Sequence, residues 1–171
     1  WATHSVAHVM EMTGRHEDGI NWLEGLCGNW DGVNNFKYHT WWHLALYYLE
    51  REDFTQVPEL YDTEFREEPT DDHIDIANAV SMLARLEMRG VNIGGRWEEL
   101  GEVCARHVDD HLYVFHDVHY IWAMAAAGRI DDIAKFMAGL PNVAKSNMTE
   151  GPIFRDVGIP LSEAIVACVK Q

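Results

Sequence analysis

The stretch His39-Thr40-Trp41-Trp42-His43-Leu44-Ala45-Leu46-Tyr47-Tyr48-Leu49-Glu50-Arg51 constrains this chain more than any other. It holds no Gly or Pro, is too long for an ordinary strand, and puts apolar side chains on nearly every face of a helix. Such a helix must be covered by protein on most sides. His39 and His43 stand one turn apart on one face, because positions i and i+4 are neighbours on a helical surface. The spacing occurs once before, in Thr3-His4-Ser5-Val6-Ala7-His8-Val9, where each histidine precedes its counterpart by 35 residues. An offset of that size is a helix-hairpin repeat period, and it predicts a stacked array of hairpins.

The rest of the chain keeps the rhythm. Val6, Val9, Met10 and Met12 mark a first helix, broken at Gly14-Arg15, and Glu17 to Leu26 marks its partner, where Gly19 would let these two helices approach closely. Cys27 to Asn35 reads as a loop. The second hairpin begins near Phe36, turns at Glu52-Asp53 and returns through Val57, Leu60, Tyr61 and Phe65, with Pro58 in the first turn of the returning helix. After a charged connector from Glu67 to Asp72, Ile74 to Leu86 forms a third leading helix, ended by Arg89-Gly90, with Trp97 to Cys104 as partner. Phe115 to Ala127 leads the fourth, and Ile130 to Leu140 follows, stopped by Pro141. Residues 142 to 152 read as a polar connector, and Ile159 to Val169 as an orphan helix. Hairpins thus start near 1, 36, 73 and 114. Glu98, Glu99, Asp131 and Asp132 are expected to face outward on returning helices.

Composition closes off several functions. A net charge of −15 opposes attraction to phosphate backbones and anionic lipid, so nucleic acid is not an expected partner. No apolar run approaches the roughly 20 residues that cross a bilayer, and no membrane association is expected. Gly94-Gly95 lacks the spacing and preceding strand of a phosphate loop. Cys27, Cys104 and Cys168 are widely spaced and odd in number, which fits buried free thiols in a reducing, cytoplasmic setting. At 171 residues and 47% apolar content, residues 1–171 are expected to form one helical repeat domain. The opening Trp1 and the apolar pattern still running at Val169-Lys170-Gln171 suggest a fragment of a longer chain. The open last helix would then favour self-association or a missing C-terminal portion.

Ala7 to Leu26, with its Gly14-Arg15 turn, is similar to a tetratricopeptide repeat, and Ala126-Ala127-Gly128-Arg129-Ile130-Asp131-Asp132 repeats the turn. Together with the two histidine segments, Leu49-Glu50-Arg51-Glu52-Asp53, Leu86-Glu87-Met88-Arg89-Gly90-Val91 and Asp117-Val118-His119, the chain resembles the middle portion of the tetratricopeptide repeat protein 38 family. The resemblance spans nearly all of the chain. It implies an all-α, right-handed tetratricopeptide-like α-α solenoid of about four hairpins plus one extra helix, and it assigns no reaction.

In such a solenoid the leading helices line a concave wall, bringing equivalent positions level. His4 and His8 would face His39 and His43, with Asp75 and Asn78 on the third unit and His116, Asp117 and His119 on the fourth. Three readings remain open. The imidazoles satisfy one another and hold the repeats in register. Or His4, His8, His39, Trp42, His43, Asp75, Asn78, Asp117 and His119 line a groove for a protein or peptide segment or a small molecule. Or His4, His8, His39 and His43 give four imidazoles to a divalent metal such as zinc. A histidine-dependent enzyme would use one imidazole as general base, oriented by Asp117 or Glu11. His16, His73, His107 and His111 are expected to be solvated or capping.

Overall fold

The computed structural model describes residues 1–30 and 32–169. Asp31, within the expected loop, and Lys170 and Gln171, at the expected end of the last helix, lie outside the described residues. Among the described residues the secondary structure is helical, with no strand. Helices begin at Ala2, Phe36, His73 and Val114, the four places where the sequence starts a hairpin. The chain divides into two compact units, Trp1–Thr70 with Ala84–Ile93, and Asp71–Leu83 with Gly94–Gln171.

The first unit holds α1 (Ala2–Met12), α2 (His16–Glu24), α3 (Phe36–Glu50) and α4 (Gln56–Leu60). Its centre is α3, which buries Tyr38, Leu44, Ala45, Leu46, Tyr47 and Leu49. Aromatic and β-branched residues are modest helix formers, so packing rather than propensity holds this helix; each fully buried Leu contributes roughly 1.5–3 kcal/mol. Gly14 takes the left-handed φ of 69° that turns the chain between α1 and α2. Gly19 has a different neighbour from the one its hairpin position suggests. A Cβ there would sit 2.4 Å from the Tyr47 ring, so the glycine serves the approach of α2 to α3. Tyr47 in turn donates its hydroxyl to the Ala7 carbonyl at 2.6 Å, a buried bond from α3 to α1. On the surface, Arg51 pairs with Glu17 and Tyr48 donates to Glu24, closing the other side of the α2–α3 contact. Beyond α4 the helix widens into a π turn over Tyr61–Phe65, which buries both aromatic rings.

Helix α5 (His73–Met88) gives its residues up to Leu83 to the second unit and those from Ala84 to the first. The second unit continues with α6 (Arg96–Ala105), α7 (Val114–Ala126), α8 (Ile130–Ala144), α9 (Gly151–Ile153) and α10 (Ile159–Val169). Helix α7 packs against α6, α8 and α10 around Leu100, Ile121, Met124, Phe136 and Phe154. Gly101 lets α6 close on α7, since a Cβ there would meet that of Ala127 at 2.4 Å. Glu98 and Asp131 are exposed and Glu99 and Asp132 partly so. Pro141 does not stop its helix: α8 runs on to Ala144. The ring is exposed while Leu140 and Ala144 are buried, so packing carries the backbone past the missing N–H.

Candidate metal centre

Helical periodicity sets His4 and His8 one turn apart on α1, and His39 and His43 one turn apart on α3. The first unit brings the pairs together. Ring centroids lie 4.4 Å apart for His4–His8, 4.8 Å for His4–His39, 4.9 Å for His4–His43, 4.4 Å for His8–His43 and 4.7 Å for His39–His43. One ring nitrogen from each falls within 4.8 Å of the other three. His4 Nε2 and His8 Nε2 are 2.9 Å apart, so one ring N–H donates to the other's lone pair.

Aromatic side chains frame the cluster. Trp42 stacks on His39, with centroids 5.4 Å apart and planes within 15°, and presents its face edgewise to His43. The Arg85 guanidinium lies 5.9 Å from the Trp42 ring. Phe36 packs on His4 at 4.8 Å, and Trp1 on Phe36. Access differs across the cluster: His43 is 1% exposed, His4 and His39 are half-buried, and His8 faces solvent.

That environment keeps two of the imidazoles neutral. Burial, and then the positive charge that His39, His8 and His4 would carry, hold His43 down to about 2. Burial, then His39 and His8, hold His4 down to about 4. Their lone pairs are therefore available at neutral pH. Both ring nitrogens of His43 are buried with no hydrogen-bond partner. Glu11 Oε2 stands 3.2 Å from His43 Nδ1 and 4.0 Å from His8 Nδ1, the former without the alignment of a hydrogen bond.

The other residues expected at a site belong to the second unit. Asp75 and Asn78 are buried on α5. Asp117, buried on α7, takes a 2.6 Å contact from His111 Nδ1. His119 turns its Nδ1 back to the Phe115 carbonyl of its own helix, at 2.6 Å. His111 is not solvated as expected: it is 4% exposed and sits at a φ of 42°. Its Nε2 lies where a Cβ on Gly139 would come within 2.5 Å, so imidazole fills the space that glycine leaves. Burial raises the Asp117 carboxyl, and His111 pulls it back only in part.

A further cluster went unread in the sequence. His107 reaches Asp110 through Nδ1 at 2.7 Å and Asp71 through Nε2 at 3.1 Å, and stacks on Tyr120 at 5.0 Å. His73 bonds the Tyr120 hydroxyl and stacks on His116 at 4.9 Å. Only the His107-x-x-Asp110 spacing hinted at this, and it is too common to single out. These contacts are satisfied, whereas the His43 nitrogens are not. No protein-family model matches the chain, and no solved structure matches it.

Proposed function

We propose that this chain is a metal-binding helical-repeat module whose His4, His8, His39 and His43 take one divalent transition ion of the zinc class. The observation that carries the reading is His43: a sealed imidazole with neither nitrogen hydrogen-bonded, inside a set of four ligand nitrogens within 4.8 Å of one another. A buried polar group left unsatisfied costs about 1–3 kcal/mol, and a metal bond would recover it. Imidazole donors suit zinc, copper or nickel and are poor for magnesium and calcium, which take oxygen. A tetrahedral ion with bonds of about 2.0–2.1 Å sets its nitrogens about 3.3–3.4 Å apart, within reach of ring rotation. Glu11 supplies the outer carboxylate that orients metal-bound histidines.

The repeat rhythm supports a right-handed tetratricopeptide-like solenoid as the scaffold, akin to the tetratricopeptide repeat protein 38 family, and a cytoplasmic setting suits neutral histidine ligands and free thiols. No helix among the described residues is long and apolar enough to cross a membrane. A second reading, in which the scaffold binds a protein segment or small molecule, draws support from a polar cavity beside Glu11. Metal analysis of purified protein, followed by zinc titration against a chelator, tests the first reading. One equivalent is expected in the wild type and none in the His39→Ala, His43→Ala double variant, with His119→Ala as a retained control. A wild type that loses zinc to a micromolar chelator would overturn it.

A further inference from the structure

Glu11 has a second side. Away from the histidines it lines a cavity of about 310 Å³ whose other walls are His16, Leu46, Tyr47, Glu50 and Arg85. All of these residues lie in the first unit. The volume is at the small end of pockets that hold organic ligands. Its walls carry both signs of charge. Glu11 and Glu50 supply carboxylates that are 38% and 46% exposed, and Arg85 supplies a guanidinium lying over the Trp42 ring. Arg89 anchors Glu50 at 3.3 Å. Between the charges lie Leu46 and the Tyr47 ring, whose hydroxyl is already committed to the Ala7 carbonyl.

We propose that this cavity binds a small zwitterion, an ammonium and a carboxylate joined by a short aliphatic spacer. The ammonium sits on Glu11 and Glu50, the carboxylate on Arg85, and the spacer on Leu46. Charge-assisted hydrogen bonds at both ends set the selectivity, because a molecule with one charge gains only one of the two. The inference goes beyond the metal reading and stands without it, since none of the four histidines touches the proposed ligand. The two are linked only through Glu11: an ammonium drawing that carboxylate away from His43 Nδ1 loosens the centre, and linkage makes the effect reciprocal.

Calorimetric titration of metal-free protein with glycine, β-alanine, 4-aminobutyrate and 6-aminohexanoate tests the proposal, with butylamine and butyrate as single-charge probes. At least one zwitterion is expected to bind one-to-one and about tenfold or more tighter than either single-charge probe. Arg85→Met and Glu50→Gln are each expected to weaken it about tenfold while circular dichroism and zinc affinity stay at wild-type levels. Absence of binding by all four zwitterions at millimolar concentration would overturn the proposal. So would equal binding of butylamine, or unchanged binding in both variants. If zwitterion binds and zinc does not, the metal reading fails alone; if zinc binds and no zwitterion does, this one fails alone.

Discussion

Glu11 Oε2 lies 3.2 Å from His43 Nδ1, joining a carboxylate that is 38% exposed to an imidazole that is 1% exposed. The pair spans the boundary between water and the sealed end of the histidine cluster. The negative charge beside Nδ1 favours the tautomer that keeps the proton there and leaves Nε2 unprotonated. Removing the charge should therefore act on metal affinity more than on folding. Glu11→Gln is expected to weaken zinc binding by about 10–100-fold, read by chelator competition, while helix content is unchanged. Equal affinities would show that the carboxylate does not orient the ring.

Acid should destabilise the metal-free protein earlier than a chain with ordinary histidines. His43 and His4 are held to about 2 and about 4 when folded, against an ordinary value of 6.5, so between those limits the unfolded chain binds more protons. Stability is then fully present above pH 6.5 and is lost as pH falls, for both residues down to about 4 and for His43 alone below that. Sealed His43 contributes a slope of about 1.4 kcal/mol per pH unit, and half-exposed His4 less because water screens it. His116, lowered by burial and by His73, adds in the same direction. Asp117, raised by burial, opposes it by taking its proton earlier in the folded state. Urea midpoints in a chelator-treated series from pH 7.5 to 4.5 should fall, and the His4→Gln, His43→Gln variant should flatten the curve.

Gly19→Ala places a methyl carbon 2.4 Å from the fully buried Tyr47 ring. Either α2 lifts from α3 or Tyr47 surrenders its bond to Ala7. A loss of about 1–3 kcal/mol is expected, read as a lowered thermal midpoint. Gly28→Ala, which meets nothing within 4 Å, should stay within about 0.5 kcal/mol of wild type.

Asp117→Ala removes the partner of a histidine that is itself buried. Breaking such a pair costs about 3–5 kcal/mol, because the remaining group stays desolvated. Asp117→Asn retains an oxygen that accepts from Nδ1, so its cost should be clearly smaller. Chemical denaturation of the three proteins orders them; equal losses would show that packing, not the contact with His111, is what Asp117 supplies.

Much of this is legible in the sequence. The two histidine pairs could be placed on helix faces because i,i+4 spacing is a local property, and the starts at Phe36, His73 and Val114 followed from apolar periodicity and charged connectors. What escaped depends on contacts distant in sequence or on unusual backbone. His111 reads in the sequence as a solvated or capping residue, since nothing local announces a left-handed turn that folds an imidazole over Gly139 and onto Asp117. His107 reaches Asp71 across a separation that composition does not encode. Pro141 was expected to end α8, yet burial of Leu140 and Ala144 outweighs one missing N–H. Gly19 reads in the sequence as the close approach of its own hairpin's two helices, whereas the ring it meets is Tyr47 of α3, 28 residues on.

The i,i+4 arrangement on α1 and α3 also bears on how the chain reaches its native state. Nucleating an isolated helical turn is unfavourable, since several torsions are fixed for one hydrogen bond. An ion caught by either dyad would pin one turn before the two segments had met, and capture of the other dyad would then close a chain loop of roughly three dozen residues, with an entropic penalty that grows only slowly with length. The centre would thus work as a template during folding as well as a clamp afterwards.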